Sequence, residues 1–148
     1  MEFITQNPSQ NKAVIRELIK GRENKKRSGA LVLGLEGELG SGKTTFLQTL
    51  ARELRVKEKV LSPTFVIMKK YGIPENRRGL KNFYHFDCYR LGNSKEILSL
   101  GFEEIIKGKK NLVAIEWAEK IKDILPKDAI WLKFEHLGEE KRKIKIIA

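Results

Sequence analysis

The stretch Ala30-Leu31-Val32-Leu33-Gly34-Leu35-Glu36-Gly37-Glu38-Leu39-Gly40-Ser41-Gly42-Lys43-Thr44-Thr45 decides the architecture. Residues 30–35 are apolar on both faces, as a central parallel strand covered by helices on either side requires. From Gly37 to Thr44 the chain fits G-x-x-x-x-G-K-[ST]. Glycines at 37, 40 and 42 admit backbone conformations closed to residues with a Cβ, and they let N–H groups point inward at phosphate oxygens. Phe46, Leu47, Leu50, Ala51 and Leu54 then recur at helical spacing. The loop therefore opens a helix, whose orphan N–H groups and positive dipole end add to the same anion site. Lys43 brings a full positive charge to the β and γ phosphates, and the Thr44 hydroxyl can ligate Mg²⁺.

Average residue frequencies produce such a match by chance in roughly one of 200 chains of this length. The strand before it and the helix after it are the context that separates a phosphate loop from coincidence. The expected nucleotide-binding residues are Glu38, Leu39, Gly40, Ser41, Gly42, Lys43, Thr44 and Thr45. The loop specifies phosphate and says little of the base. A guanine-reading N-K-x-D is missing, because Asn11-Lys12 and Asn24-Lys25 are followed by Val14 and Arg27 where Asp is required. ATP is expected over GTP.

Outward from the loop, the chain alternates apolar runs with helical patterns. Ser9 can cap a helix with the stripe Val14, Ile15, Leu18 and Ile19 and a stop at Gly21. Phe65-Val66-Ile67-Met68 and Asn82 to Asp87 read as strands, and Asn93 or Ser94 can cap a helix containing Ile97, Leu98 and Phe102. Leu112-Val113-Ala114-Ile115 is a short buried strand ending at Glu116. Ile130 to Phe134 and Ile144 to Ile147 read as strands toward the sheet edge, since charges interrupt them. The expectation is an α/β fold in three layers, with a mixed, mainly parallel central sheet of the P-loop NTPase kind, over one domain spanning 1–148.

Phosphoryl transfer also needs a carboxylate near Mg²⁺ and a group that orients water. Asp87 closes Phe83-Tyr84-His85-Phe86, and Glu116 closes the run from Leu112. In a parallel sheet the C-terminal strand ends share one rim with the phosphate loop, so both acids can reach the γ-phosphate. For either acid alone, an N-cap or a surface ion pair is an equal alternative. His85 shares a strand face with Asp87, which allows an acid–histidine pair or simply a packed histidine. Cys88 points the other way, as a core thiol. Trp117 is placed either over the site or in the core, and both stay open.

The chain has 148 residues, 41% hydrophobic and 33% charged, with a formal net charge of +11. That composition favours one compact domain with a real core over a multidomain protein or a disordered tail. The single cysteine excludes a disulfide scaffold, no apolar run approaches the roughly 20 residues of a membrane span, and Met1-Glu2-Phe3 opens no signal sequence. A cytoplasmic location is expected. The basic excess suits phosphate-rich partners or a merely solvated surface.

Gly37 to Thr44 with Thr45-Phe46, then Ser62-Pro63-Thr64-Phe65, then His85-Phe86-Asp87-Cys88-Tyr89-Arg90-Leu91, then Glu116-Trp117, resemble the ordered motifs of the TsaE family. These are P-loop ATPases of bacterial tRNA threonylcarbamoyladenosine synthesis. The match runs from about Leu35 to Trp117, and four blocks in order are far more specific than any one. The resemblance implies a weak Mg²⁺-dependent ATPase acting with TsaD and TsaB. TsaD transfers threonylcarbamoyl to tRNA adenosine, and ATP hydrolysis resets that complex between turnovers, with tRNA contacted indirectly. Carried over by position, Lys43 and Thr44 serve phosphate and Mg²⁺, Glu116 assists Mg²⁺, Asp87 positions water or metal, and Thr64 is a switch-type residue near the γ-phosphate. Glu38 and Ser41 replace a more usual Asp and Ala. The segments before Leu35 and after Trp117 carry no matching motif, which leaves the adenine contacts unassigned.

Two other readings compete. A one-domain P-loop chain can be a small-molecule kinase, with Arg77, Arg78 and Arg90 clamping an acceptor's phosphates. A nucleotide-gated RNA-binding switch would instead use Lys25, Lys26 and Arg27. Further basic clusters at Lys69-Lys70, Lys107 to Lys110 and Lys141 to Lys145 lie outside the motif blocks.

Overall fold

The computed structural model describes residues 1–20, 27–62, 66–74 and 79–147. Seven strands form one sheet: β1 (Glu2–Thr5), β2 (Leu31–Glu36), β3 (Met68–Gly72), β4 (Asn82–Asp87), β5 (Asn111–Glu116), β6 (Ile130–His136) and β7 (Arg142–Ile147). Their order is β1-β7-β6-β2-β5-β4-β3. The inner four, β6, β2, β5 and β4, run parallel, while β3 and the β7–β1 pair are antiparallel additions. The parallel strands therefore end on one rim, at Glu36, Glu116, Asp87 and His136.

Helices α1 (Asn11–Lys20) and α2 (Lys43–Glu53) cover one face. Val14, Ile15, Leu18 and Ile19 of α1 join Phe46, Leu47 and Leu50 of α2 over Leu33, Leu35, Leu112 and Ala114. The short helices α3 (Lys95–Leu98) and α4 (Phe102–Lys107), with a 3-10 turn over Ala118–Ile124, cover the other. There Ile97, Phe102, Ala118 and Ile121 pack on Val32, Val113 and Ile115. A strand apolar on both faces is thus sandwiched between two layers, and Gly34 shows how closely. A Cβ built there would lie 3.1 Å from Ala118 Cβ and 3.2 Å from the Trp131 ring.

Three local expectations change. The strand expected over 65–68 begins at Met68, because Ile67 takes a left-handed φ of 65° that a ladder residue cannot hold, and Phe65 lies outside the described residues. The helix expected through Phe102 is two helices, broken where Gly101 adopts a φ of 81°. Ser9 lies inside a 3-10 turn (Pro8–Gln10) leading into α1 instead of capping it, and Gly21 lies outside the described residues. The strands expected toward the edge do stand third and second from it, with the short β1 as the edge strand beside β7. Lys133, Glu135, Lys143 and Lys145 share one face and alternate with buried Leu132, Phe134 and Ile144, which is the pattern of a sheet region with one solvated face.

Candidate nucleotide site

The candidate site forms where β2 gives way to α2. Gly42, the residue before the helix, has φ 101° and ψ 11°, a conformation that strains any residue with a Cβ. Gly37 is held by proximity as well: a Cβ there would come within 2.7 Å of both the Phe134 carbonyl oxygen and Ser41 Oγ. The loop closes on itself through Ser41 N–H to the Glu38 carbonyl (3.1 Å), and Phe46 N–H to the Gly42 carbonyl (3.0 Å) starts the helical ladder.

Lys43 is buried at 5% exposure. Its ammonium donates to the carbonyls of Gly37 and Glu38, the latter at 3.1 Å, and lies 4.2 Å from the centroid of the Trp117 ring. Burial lowers its pKa from the ordinary 10.5, against the opposing fields of Glu116, Glu119 and Asp87. Trp117 therefore sits over the site, carried there by its own left-handed backbone (φ 59°, ψ 40°), and its ring also leans on Tyr89 with centroids 5.1 Å apart.

The two acids stand side by side, since Asp87 and Glu116 are register partners on adjacent parallel strands. Glu116 is 4% exposed and accepts from two sides: Thr44 Oγ1 donates to Oε1 at 2.8 Å, and His85 Nε2 lies 2.7 Å from Oε2. Asp87 accepts from Ser62 Oγ on Oδ2 and from the Tyr89 N–H on Oδ1, both at 2.9 Å. His85 therefore pairs across the strands with Glu116, where the shared face with Asp87 had suggested the neighbouring acid. Cys88 is fully buried in the opposite layer, and burial pushes its thiol up to about 12.

A cavity of about 320 Å³ gathers these groups, lined by all of Glu38 to Thr45 with Ser62, Asp87, Tyr89, Glu116, Trp117 and Arg142. Every expected nucleotide-binding residue lines it, and so do both acids. Thr64 lies outside the described residues, as do Lys25, Lys26, Arg77 and Arg78. Arg90 is exposed and is not among the lining residues. A second cavity of about 240 Å³ adjoins the loop, formed by Thr5 to Pro8, Asn11, Ser41, Gly42, Thr45, Phe134, Glu140, Arg142 and Ile144. Arg142 and the N-terminal wall escaped the sequence reading because they meet the loop only through long-range pairing, and Ser62, placed there within a motif block, gains its contact with Asp87 only in the fold. Among the described residues no three His, Cys, Asp or Glu side chains form a cage able to hold a metal alone. No helix among them is long and apolar enough to cross a membrane.

A three-layer α/β fold with a glycine-rich loop between its central strand and helix, facing two strand-end acids, is the architecture of the P-loop class. The family model described as "Threonylcarbamoyl adenosine biosynthesis protein TsaE" matches residues 5–144, and the chain belongs to that family. The match extends well beyond the motif blocks, into the N-terminal segment and through β6 to Ile144 within β7. The "tRNA threonylcarbamoyladenosine biosynthesis protein TsaE" of Bacillus subtilis is 37% identical over 79% of this chain and 69% of its own length. The protein of the same name from Treponema pallidum is 31% identical over 78% of this chain and 80% of its own. The crystal structure of Bacillus subtilis YdiB superposes with a TM-score of 0.70 at 30% identity, covering 97% of this chain and 82% of that one.

Proposed function

We propose that the chain binds ATP with Mg²⁺ and hydrolyses it slowly, as the ATPase component of tRNA threonylcarbamoyladenosine synthesis that resets a TsaD–TsaB complex between turnovers. The observation that carries this is the Thr44–Glu116 hydrogen bond in a cavity that also holds Lys43 and Asp87. The Thr44 hydroxyl spends its proton on Glu116 and keeps its lone pairs, so one short contact prepares two hard oxygen donors. That donor set fits Mg²⁺, which is held by one or two protein oxygens plus phosphate and water. Thr44 and Glu116 would hold the ion, which would supply charge neutralisation at the phosphates.

The chain's own residues do the rest. The loop N–H groups and the α2 N-terminus receive phosphate oxygens, and Lys43 exchanges the Gly37 and Glu38 carbonyls for them. Asp87, held at both oxygens by Ser62 and the Tyr89 N–H, orients water beside the γ-phosphate. The adjoining 240 Å³ cavity, walled by the N-terminal segment and Arg142, is of a size to take the nucleoside. Of the clamp residues of the kinase reading, Arg90 does not line the cavity, and Arg77 and Arg78 lie outside the described residues.

Isothermal titration with ATP, followed by phosphate release with and without purified TsaD and TsaB, tests the proposal. Binding, slow turnover alone and faster turnover with the pair are expected. Absence of ATP binding would overturn the nucleotide assignment, and absence of any interaction with the pair would overturn the assignment to the complex.

A further inference from the structure

Histidine 85 has no role in the scheme above, yet it is wholly buried and sits 2.7 Å from a carboxylate assigned to the metal. On β4 it lies one strand from Glu116, with the Phe83 ring edge-on at 6.4 Å between centroids. Among the described residues the second ring nitrogen, Nδ1, has no hydrogen-bond partner. Those facts fix the tautomer. Nε2 is the nitrogen that faces the carboxylate oxygen and donates to it, and a proton on Nδ1 would meet no acceptor among the described residues.

We infer that His85 is the positioning residue of Glu116: its Nε2–H and the Thr44 hydroxyl hold the two carboxylate oxygens from opposite sides and set the plane of the group. The terminal torsion of glutamate is otherwise broad and roughly two-fold. With Thr44 alone as donor, Glu116 would swing about that bond, and the two oxygens would no longer face the cavity together. The imidazole is a good clamp because it is rigid, offers one donor in a fixed direction, and is itself locked by the surrounding core. Each oxygen keeps a lone pair directed elsewhere, so the clamp orients the group without consuming it. Hydrogen-bonded partners behind a metal-ligating group are worth about 10- to 100-fold in metal affinity or activity.

This inference rests on Glu116 serving Mg²⁺, so the experiment separates the two. Affinity for a non-hydrolysable ATP analogue is measured by titration calorimetry in chelator and in Mg²⁺, for wild type, His85→Leu and His85→Gln. Equal affinities in chelator are expected, with the Mg²⁺-dependent gain reduced about tenfold in His85→Leu and largely restored in His85→Gln, which keeps an N–H donor. An undiminished gain in folded His85→Leu, or an equal loss with and without Mg²⁺, overturns the positioning role. A wild-type protein with no Mg²⁺-dependent gain overturns the metal assignment of Glu116 itself. Nitrogen-15 spectra of the histidine ring in the wild type supply an arm that needs neither metal nor a folded variant. A protonated Nε2 with a bare Nδ1 supports the clamp, and the reverse tautomer refutes it.

Discussion

Replacing Glu116 with glutamine changes one charge and almost no volume, and its consequences differ for the free protein, for binding and for hydrolysis. In the free protein, two bonds to a carboxylate, from Thr44 and His85, become bonds to a neutral amide. Hydrogen bonds to charged groups contribute about 1.5–3 kcal/mol and neutral ones about 0.5–1.5, so the gross loss is about 2–3 kcal/mol over the pair. Relief of a carboxylate that is 4% exposed offsets part of this, leaving a net destabilisation of about 1–2 kcal/mol. The amide settles with its oxygen toward His85 Nε2–H and its NH₂ toward Thr44, whose hydroxyl turns to accept. Glu116 is also the foremost of the anionic fields that hold the proton on Lys43, so the pKa of Lys43 falls further in the variant. Nucleotide phosphates bring their own negative charge to that ammonium, and metal-free affinity is therefore unchanged or slightly improved. Turnover loses an electrostatic contribution of the kind that costs about 10²–10³-fold when removed. Urea unfolding, calorimetry in chelator and single-turnover hydrolysis measure the three effects separately. A metal-free affinity that falls by the same factor as turnover, or turnover within about threefold of wild type, would refute the assignment of Glu116 to the metal and the transition state.

Lys43→Met should abolish tight nucleotide binding while removing a pH dependence of folding. Because the folded pKa lies below 10.5, the unfolded chain holds more protons as pH approaches that value, so wild-type stability gains from Lys43 as pH rises through that window. Denaturation midpoints at rising alkaline pH should show that gain in wild type and lack it in the variant. Phe46→Ala, at a fully buried position on α2 edge-on to Phe134 at 5.4 Å, should cost about 3–5 kcal/mol in urea unfolding and loosen the seat of the loop helix.

What could be read from the chain and what could not divide by the range of the interactions. The phosphate loop is legible because its pattern is local: the fixed glycines, Lys43 and Thr44 fall within eight residues, and the apolar periods on either side name the strand and the helix, although the Phe134 carbonyl that crowds Gly37 is far away in sequence. Asp87 and Glu116 are legible because parallel strands leave their ends on one rim whatever the register. The partner of His85 is not, since an alternation rule tells which face a residue takes, and only the β4–β5 register tells which acid stands opposite. Trp117 is undecidable for a related reason, as its position over Lys43 follows from a left-handed turn that no glycine or asparagine announces. Strand β1 is four residues long and pairs with a strand near the opposite terminus, Phe3 opposite Ile144, so nothing near it in sequence marks it as the wall of a cavity.

The net charge of +11 invites the idea that the basic excess binds the nucleotide, and the cavity says otherwise. Among its lining residues the cations are Lys43 and Arg142, facing the carboxylates of Glu38, Asp87 and Glu116. Two cations against three carboxylates give a lining that does not attract a triphosphate through side-chain charge. In the proposed scheme the phosphates would be received by oriented backbone N–H groups, with Glu116 and Thr44 holding a divalent ion whose charge would offset the carboxylates. Meanwhile Lys81, Lys107, Lys109 and Lys110 are exposed at the far end of the strands, drawn together as the Lys81 N–H donates to the Lys110 carbonyl at 2.8 Å. The excess therefore belongs to the outer surface, and affinity for nucleotide should depend steeply on Mg²⁺ while charge reversal at those four lysines leaves it unchanged.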